Sequence, residues 1–325
     1  MKDSFGRTID YLRLSVTDRC NLRCRYCMPE EGVPACRHDE ILSYEELQRI
    51  AQVAIAEGIR RIRITGGEPL VRRGLADFIA RLAQISPRPE LSLTTNGLLL
   101  AEQARQLKQA GLDRINVSLD TLRAERFREM CRRDGLDQVF AGLDAAEQVG
   151  LTPIKVNMVP LAGFNVDEIA DFARLTLKRN CDIRFIEFMP VSGGLDYPAE
   201  SRVPTGEIRR HVELLGPLEE VASSGSGPAR TYQLPGARGR IGFISAISEH
   251  FCDSCNRLRL TPEGHLRPCL FSDLSIDLRS PLRGGASDHE LGKLLQQAVC
   301  GKPEKHTINS PDFEPGDRRM NTIGG

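Results

Sequence analysis

Between residues 11 and 190 the chain alternates two hydrophobic periods. Short runs, "YLRLSVT" (11–17), "RIRIT" (61–65), "LSLTTN" (91–96), "RINVSLD" (114–120), "PIKVNMV" (153–159) and "DIRFIEF" (182–188), are rich in β-branched and apolar residues and read as strands. The longer segments between them repeat apolar residues at helical spacing. In "SYEELQRIAQVAIAEG" (43–58), Ser43 and Glu46 form a capping box, Leu47, Ile50, Ala51 and Ala54 line one face, and Gly58 stops the helix. Six β-then-α units in succession predict an α/β fold in which a parallel sheet curls into a partial, open βα barrel. A closed eight-stranded barrel needs two more units, and the repeat ends before supplying them.

Beyond residue 190 the period changes. "VSGGLDYPAE" (191–200) is a loop and "TGEIRRHVELLG" (205–216) one more helix. "ASSGSGPARTYQLPGARGRIGFIS" (222–245) gives short strands broken by Gly, Pro and Ser, as in antiparallel hairpins. Two domains are expected, a barrel over 1–200 and a C-terminal α+β extension over 201–325.

Charge narrows the partners. Lys+Arg and Asp+Glu are equal at 44 each in 325 residues, so no global field draws the chain to nucleic acid or to an acidic membrane. Only seven of the basic residues are lysines, so pairs such as Arg60–Arg61 and Arg132–Arg133 read as solvated surface. No secretory leader and no membrane-spanning run is visible, and a cytoplasmic location is expected. Ten cysteines in such a chain read as metal ligands before they read as disulfides.

Two cysteine sets carry the candidate chemistry. "DRCNLRCRYCMP" (18–29) places Cys20, Cys24 and Cys27 within eight positions. A closed zinc site takes four protein ligands. Three thiolates instead suit a [4Fe–4S] cube held by three corners, with its fourth iron open. "FCDSCNRLRLTPEGHLRPCLF" (251–271) supplies Cys252, Cys255 and Cys269. Structural zinc, with His265 or His250 as fourth ligand, is one reading of this set; a second open cluster is the other. Interleaved Arg257, Arg259 and Arg267 favour a site that faces an anion. Cys36, Cys131, Cys181 and Cys300 are isolated and read as small buried or semi-buried side chains rather than ligands.

C-x3-C-x2-C with Tyr26 before the last cysteine resembles the signature of the radical S-adenosylmethionine superfamily. "TGGEP" (65–69) resembles its GGE turn, and "VSLD" (117–120) and "EFMP" (187–190) close the fourth and sixth predicted strands. All of these fall at C-terminal strand ends, where βα barrels keep their active sites. Within the superfamily the chain resembles the GTP 3′,8-cyclase family of molybdenum-cofactor biosynthesis. The likeness runs from "YLRLSVTDRCNLRCRYCMP" through "RITGGEPL", "TTNG", "INVSLD", "IKVNMV" and "FIEFMP" to the second cysteine set and the terminal Gly-Gly.

That resemblance implies two [4Fe–4S] clusters, on Cys20, Cys24 and Cys27 and on Cys252, Cys255 and Cys269, with S-adenosylmethionine as cofactor. Tyr26, Gly67, Ser118 and Met189 match the family's S-adenosylmethionine contacts. Arg13, Arg63, Thr94, Lys155, Arg257 and Arg259 match its GTP contacts. Gly324 and Gly325 match a tail that reaches beside the nucleotide. The implied reaction takes the 3′ hydrogen of GTP with a 5′-deoxyadenosyl radical and closes the ribose onto C8 of guanine. The product is 3′,8-cyclo-7,8-dihydro-GTP. The implied partners are GTP, an electron donor and the cyclic pyranopterin monophosphate synthase that receives the product, with the chain a monomer or homodimer.

The residues are consistent with this and leave choices open. No G-x4-G-K-[ST] sequence is present, so a triphosphate must be held by guanidinium forks and point charges. Arg13, Arg63 and Lys155 alternate with apolar neighbours, which suits either a polar sheet face or a ligand site inside a barrel. The competing readings are a radical S-adenosylmethionine peptide maturase, a non-enzymatic iron–sulfur electron carrier and a zinc-only structural protein.

Overall fold

The structure, a computed structural model, describes residues 1–34, 36–190, 197–222, 227–308 and 310. Six βα strands form as the periods predict: β1 (Tyr11–Ser15), β2 (Arg61–Thr65), β3 (Glu90–Thr95), β4 (Arg114–Ser118), β5 (Ile154–Met158) and β6 (Cys181–Ile186). The later strands are β7 (Glu219–Glu220), β8 (Arg230–Gln233), β9 (Ile241–Ile244), β10 (Arg257–Leu260), β11 (His265–Arg267) and β12 (Ile276–Asp277). All join one open sheet in the order β12-β11-β10-β1-β2-β3-β4-β5-β6-β9-β8-β7.

The helices are α1 (Tyr44–Ala56), α2 (Leu75–Ala83), α3 (Leu100–Gln109), α4 (Ala124–Cys131), α5 (Leu136–Gln148), α6 (Ile169–Lys178), α7 (Thr205–Glu213), α8 (Arg279–Arg283) and α9 (Asp288–Cys300). The capping box of α1 is present, with Ser43 accepting from the Glu46 amide and the Glu46 carboxylate accepting from Ser43. Among the described residues no helix is long and apolar enough to cross a membrane.

The two strands that the βα repeat lacks come from the extension. β10 pairs parallel to β1 on one side and β9 pairs parallel to β6 on the other. Eight parallel strands therefore run side by side without closing, and β8, β7, β11 and β12 add antiparallel pairs beyond them. The extension is continuous with the barrel sheet and does not build a sheet of its own.

Alternation sorts each strand cleanly. Leu12 and Leu14, Ile62 and Ile64, Leu91 and Leu93, Ile115 and Val117, Val156, Ile183 and Phe185, and Leu258 and Leu260 are buried in one continuous apolar cluster with the helices. The intervening residues point to the opposite face, because successive side chains alternate across a strand. In-register neighbours share a face, so Arg259, Arg13, Arg63 and Ser92 stand side by side across β10, β1, β2 and β3. Thr94, Asn116, Lys155 and Asp182 do the same across β3 to β6, and Arg184 lies beside Asn157.

The entry to β9 is tight. The amides of Arg238 and Gly239 both donate to the Thr176 carbonyl, and a Cβ at Gly239 would lie 1.8 Å from the Cys181 carbonyl oxygen. Backbone cannot retreat as a flexible side chain can. Gly239→Ala should therefore destabilise the iron-free chain by at least about 1–3 kcal/mol, read as a lower urea midpoint with unchanged slope. An unmoved midpoint would mean that β9 does not need this approach.

Candidate active site

The first cysteine set sits on the loop after β1, which is pinned from three sides. The Arg23 and Arg25 amides donate to the Cys131 and Met130 carbonyls at the end of α4, both at 3.0 Å. The Arg132 guanidinium reaches the carbonyls of Arg23 (3.1 Å) and Met28 (2.9 Å). Within the loop, the Cys27 and Met28 amides both donate to the Cys24 carbonyl, closing a turn that gathers the cysteines.

The glycine turn after β2 lies against the approach to this loop. The Gly67 amide donates to the Thr17 carbonyl and the Glu68 amide to the Arg19 carbonyl, each at 2.8 Å. A Cβ on Gly67 would come within 2.4 Å of the Arg19 oxygen and 2.7 Å of the Asp18 oxygen, so glycine is required by the close approach itself. Glu68 is buried, and its carboxylate accepts from Leu70 N (3.0 Å), Thr95 Oγ1 (2.8 Å) and Asn96 N (2.6 Å). Asn96 in turn donates to Asn21 Oδ1 at 2.8 Å, with its Nδ2 4.0 Å from Cys20 Sγ. Loops after β1, β2 and β3 are thus one hydrogen-bonded unit. Burial pushes Glu68 up to about 7 against the pull of these donors.

Asp120, at the end of "VSLD", holds the middle of the cysteine loop. Its Oδ2 accepts from the Tyr26 hydroxyl at 2.8 Å and its Oδ1 from the Val159 amide at 2.9 Å. Glu187 of "EFMP" plays a similar part at the end of β6, accepting from Thr205 and from the amides of Ile247 and Ser248. Ser118 ends β4 beside Asn157. Met189 and Phe271 both pack against Leu270, so the loop after Cys269 reaches back toward the end of β6.

The first set is chemically suited to an iron cluster. Burial first, with a smaller contribution from the charge of Cys24, pushes the Cys20 thiol up to about 12. Cys24 lies well above the usual thiol range through its contact with Cys131 and its burial. Such groups become thiolates only when cations share the site. Cys131 is buried as expected but is not isolated, since its Sγ is 3.8 Å from that of Cys24. Among the described residues no three His, Cys, Asp or Glu side chains converge on a single metal ion.

The second set is assembled by a hairpin. Cys255 lies two residues before β10 and Cys269 two residues after β11; the pairing Arg259↔Arg267 places both at the same end of the β10–β11 pair. Cys252 and Cys255 share a turn, with the Cys255 amide donating to the Cys252 carbonyl at 3.1 Å. A cleft lined by Gly227, Pro228, Ser254, Asn256 and Arg257 opens beside Cys255. Burial raises the Cys255 thiol, but the charges of Arg257 and Lys302 outweigh it and bring the group down to about 6. Burial raises Cys252.

The two sets stand at opposite ends of the same strands. Cys20 follows the C-terminal end of β1, whereas Cys255 precedes the N-terminal end of β10, which runs parallel to β1 in the register Tyr11↔Arg257. A strand of five residues spans about 16–17 Å. The cationic row lies between them. Burial first, then repulsion from Arg259 and Arg63, holds Arg13 well below its ordinary value. Arg259 and Arg184 come down to about 10, and Lys155, which is 4% exposed, to about 7, again through burial followed by neighbouring cations.

Buried polar atoms without a hydrogen-bond partner lie on the same face: Tyr11 OH, Thr94 Oγ1, both amide atoms of Asn116 and Asn157 Oδ1. Such atoms are rare unless a ligand completes them. The arrangement suits a polyanion that also carries hydrogen-bonding edges.

Fourteen of the predicted residues from Arg13 to Cys269, Thr94 among them, therefore fall on this loop system, this row or this hairpin; Ser118 ends β4 at the same rim, and Met189 adjoins the second set. Gly324 and Gly325 lie outside the described residues. Tyr11, Asn116, Asn157 and Arg184 were missed by sequence reasoning. Arg184 had a signal, since it interrupts an apolar strand at the inward position just as Lys155 does.

Comparison with known proteins places the chain. The model of the Radical SAM superfamily matches residues 14–176, and that of Molybdenum Cofactor Synthesis C matches residues 181–308. The GTP 3′,8-cyclase of Heliobacterium modesticaldum is 51% identical over 327 positions and that of Moorella thermoacetica 48% over 326, each covering 100% of both chains. The chain belongs to the GTP 3′,8-cyclases of the radical SAM superfamily.

Among solved structures, SuiB of Streptococcus suis bound to S-adenosylmethionine superposes with a TM-score of 0.66 at 14% identity, over 93% of this chain and 74% of that one. anSMEcpe with bound AdoMet gives 0.59 at 13% identity, over 92% and 79%. At these identities the likeness shows the fold alone. It is the open barrel of a radical SAM protein, and the superfamily works with a [4Fe–4S] cluster and S-adenosylmethionine.

Two outcomes follow from this geometry. Gly67→Ala should displace Asp18 and Arg19 and so loosen the loop carrying Cys20. Iron bound by the first set should drop while far-UV circular dichroism holds; full iron occupancy in this variant would contradict the close approach. The second concerns pH. Lys155 titrates near 7 in the folded chain and near its ordinary 10.5 when unfolded, so between these values the unfolded chain holds the extra proton. Stability contributed by this group rises with pH across about 7 to 10.5, by up to about 1.4 kcal/mol per unit. Chemical denaturation of the ligand-free chain should show this rise relative to Lys155→Met, and parallel pH profiles would refute it.

Proposed function

We propose that the chain converts GTP to 3′,8-cyclo-7,8-dihydro-GTP, the first step of molybdenum-cofactor biosynthesis. The observation that carries the reading is the row of Arg259, Arg13, Arg63 and Lys155 between two cysteine sets, with Arg259 and Lys155 buried and Arg13 and Arg63 half-buried. A nucleoside triphosphate supplies both things this face lacks, negative charge for the cations and hydrogen-bonding edges for Thr94, Asn116 and Tyr11.

Cys20, Cys24 and Cys27 would hold one [4Fe–4S] cluster, and Cys252, Cys255 and Cys269 a second. With S-adenosylmethionine, the first cluster supplies a carbon-centred radical for hydrogen abstraction. Everything else falls to the protein's own side chains. Tyr26 and Gly67 hold the backbone around the first site, the first through Asp120 and the second through its contact with Arg19. Ser118 and Met189 are assigned to S-adenosylmethionine by the family resemblance. Arg13, Arg63, Lys155 and Arg259 hold the triphosphate and ribose so that C3′ faces the first site. Arg257, beside Cys255, orients the base toward the second. Gly324 and Gly325 are assigned beside the nucleotide by the family resemblance. An external electron donor and an enzyme that consumes the cyclised nucleotide complete the set of partners, with the cytoplasm as the location.

The test is anaerobic incubation of reconstituted protein with GTP, S-adenosylmethionine and dithionite, followed by mass spectrometry of the nucleotide. A product isobaric with GTP but altered in its fragmentation, together with 5′-deoxyadenosine, is expected. Loss of one charge-assisted contact is worth roughly 1.5–3 kcal/mol, so Arg259→Ala should weaken GTP binding about ten- to a hundredfold. Unmodified GTP alongside abundant deoxyadenosine, or undiminished GTP affinity in Arg259→Ala, would remove the assignment.

A further inference from the structure

Residues 302–306 follow α9 and belong to neither cysteine set, yet they touch every part of the second. Lys302 is 3% exposed. Its ammonium donates to the carbonyl of Arg257 at 3.0 Å and to that of Pro268 at 2.5 Å. Arg257 lies two residues after Cys255, and Pro268 immediately precedes Cys269.

The strap is locked from the other terminus. Arg7 Nη1 donates to the carbonyls of Cys252 (2.8 Å) and Glu304 (2.7 Å), and its Nη2 to that of Pro303 (2.7 Å). Asp3 holds the Arg7 Nε at 2.5 Å, and both residues are buried. Arg7 thus ties the strap to Cys252, and Lys302 ties it to the backbone close to Cys255 and Cys269.

A buried ammonium is costly unless negative charge shares its site. The groups that favour the charge of Lys302 are the thiols of Cys255 and Cys269, and Arg257 opposes it. The hydrogen bonds to carbonyls fix its place, but carbonyl dipoles alone do not repay a buried full charge. The thiolates of a loaded site do.

We propose that Lys302 is the positioning residue of the second iron–sulfur site, a buried cation that sets both its grip on iron and its reduction potential, with Arg7 fastening the strap that carries it. The inference rests on the reading of Cys252, Cys255 and Cys269 as iron ligands. A [4Fe–4S] core in its 2+ state with three thiolates carries one net negative charge, and reduction adds a second. A fixed ammonium beside two of the sulfurs eases that addition and raises the potential. Hydrogen bonds to ligating sulfur act in the same direction, and outer contacts of this kind also govern retention of the metal.

The test isolates the second site in the full-length chain with Cys20→Ser, Cys24→Ser and Cys27→Ser combined, loaded anaerobically with iron and sulfide. Lys302→Met keeps the length of the side chain and removes its charge; Lys302→Arg keeps the charge. Lys302→Met should shift the midpoint potential, followed by electron paramagnetic resonance during dithionite titration, to more negative values. It should also release iron to a ferrous chelator roughly ten- to a hundredfold faster. Lys302→Arg should hold the potential near that of the parent. Equal melting curves of the iron-free chains separate this from a folding defect. If Lys302→Met does not fold, Arg7→Gln carries the test, with faster iron release expected and an unchanged rate overturning the proposal. Identical potential and release rate in Lys302→Met overturn the role of Lys302 while leaving the iron site in place. No iron in the parent with its second set intact overturns the iron reading itself.

Discussion

Cations stacked side by side in a dry place repel one another, and this molecule is organised around tolerating that repulsion. Parallel pairing in register puts Arg259, Arg13 and Arg63 in adjacent strands on one face, with Lys155 further along and Arg184 nearby. Nothing about sheet formation asks for this; the opposite faces of the same strands are Leu, Ile, Val and Phe, and their burial holds the sheet together in spite of the row. The fold therefore keeps a standing electrostatic debt on its inner face that an anionic ligand discharges on binding. Lys155 sits where that debt is largest relative to its own ability to hold a proton, which makes it the most responsive member of the row.

The two cysteine sets are supported by different means, in keeping with different neighbours. The first is embedded in backbone: a glycine turn pressed against Arg19, a buried carboxylate tying three loops together, and a tyrosine tethered by Asp120. Burial raises the thiol of Cys20, and the contact with Cys131 followed by burial raises that of Cys24. The second is surrounded by Arg257, Arg259 and Lys302, and its middle cysteine is correspondingly acidic. One site is shaped by hydrogen bonds to the main chain and the other by charge. The space between them joins both regimes, so a ligand lying there meets a neutral, tightly built rim at one end and an electropositive floor at the other.

Much of this was legible in the sequence because short strands with period-two patterning announce their own faces. The six βα strands appear within a residue or two of where alternation puts them, and Arg13, Arg63 and Lys155 point inward for the reason the pattern gives. What alternation could not reveal is which strands become neighbours across long stretches of chain. The pairing of β10 with β1 and of β9 with β6 depends on complementary edges far apart in sequence, so the extension read as separate although it completes the sheet. For the same reason Lys302 carried no signal: its partners, Arg257 and Pro268, are 45 and 34 residues away. Asn116 was hidden differently, as one polar residue in a strand where a polar residue is ordinary, and only its unpartnered amide marks it.

The place of β1 in the sheet has a consequence for how the molecule comes into being. One of its neighbours, β2, is made about 50 residues later, but the other, β10, is the segment Arg257–Leu260 near the far end of the chain. At synthesis rates of about 5–20 residues per second, roughly ten to forty seconds separate the emergence of β2 and β10. Throughout that interval one edge of β1 is an unpaired parallel strand, the kind of edge that recruits other chains. Arg13 lies on that edge and helps keep it apart from neutral or cationic strands. The charge that later faces the ligand thus begins its life as a guard on an unfinished sheet.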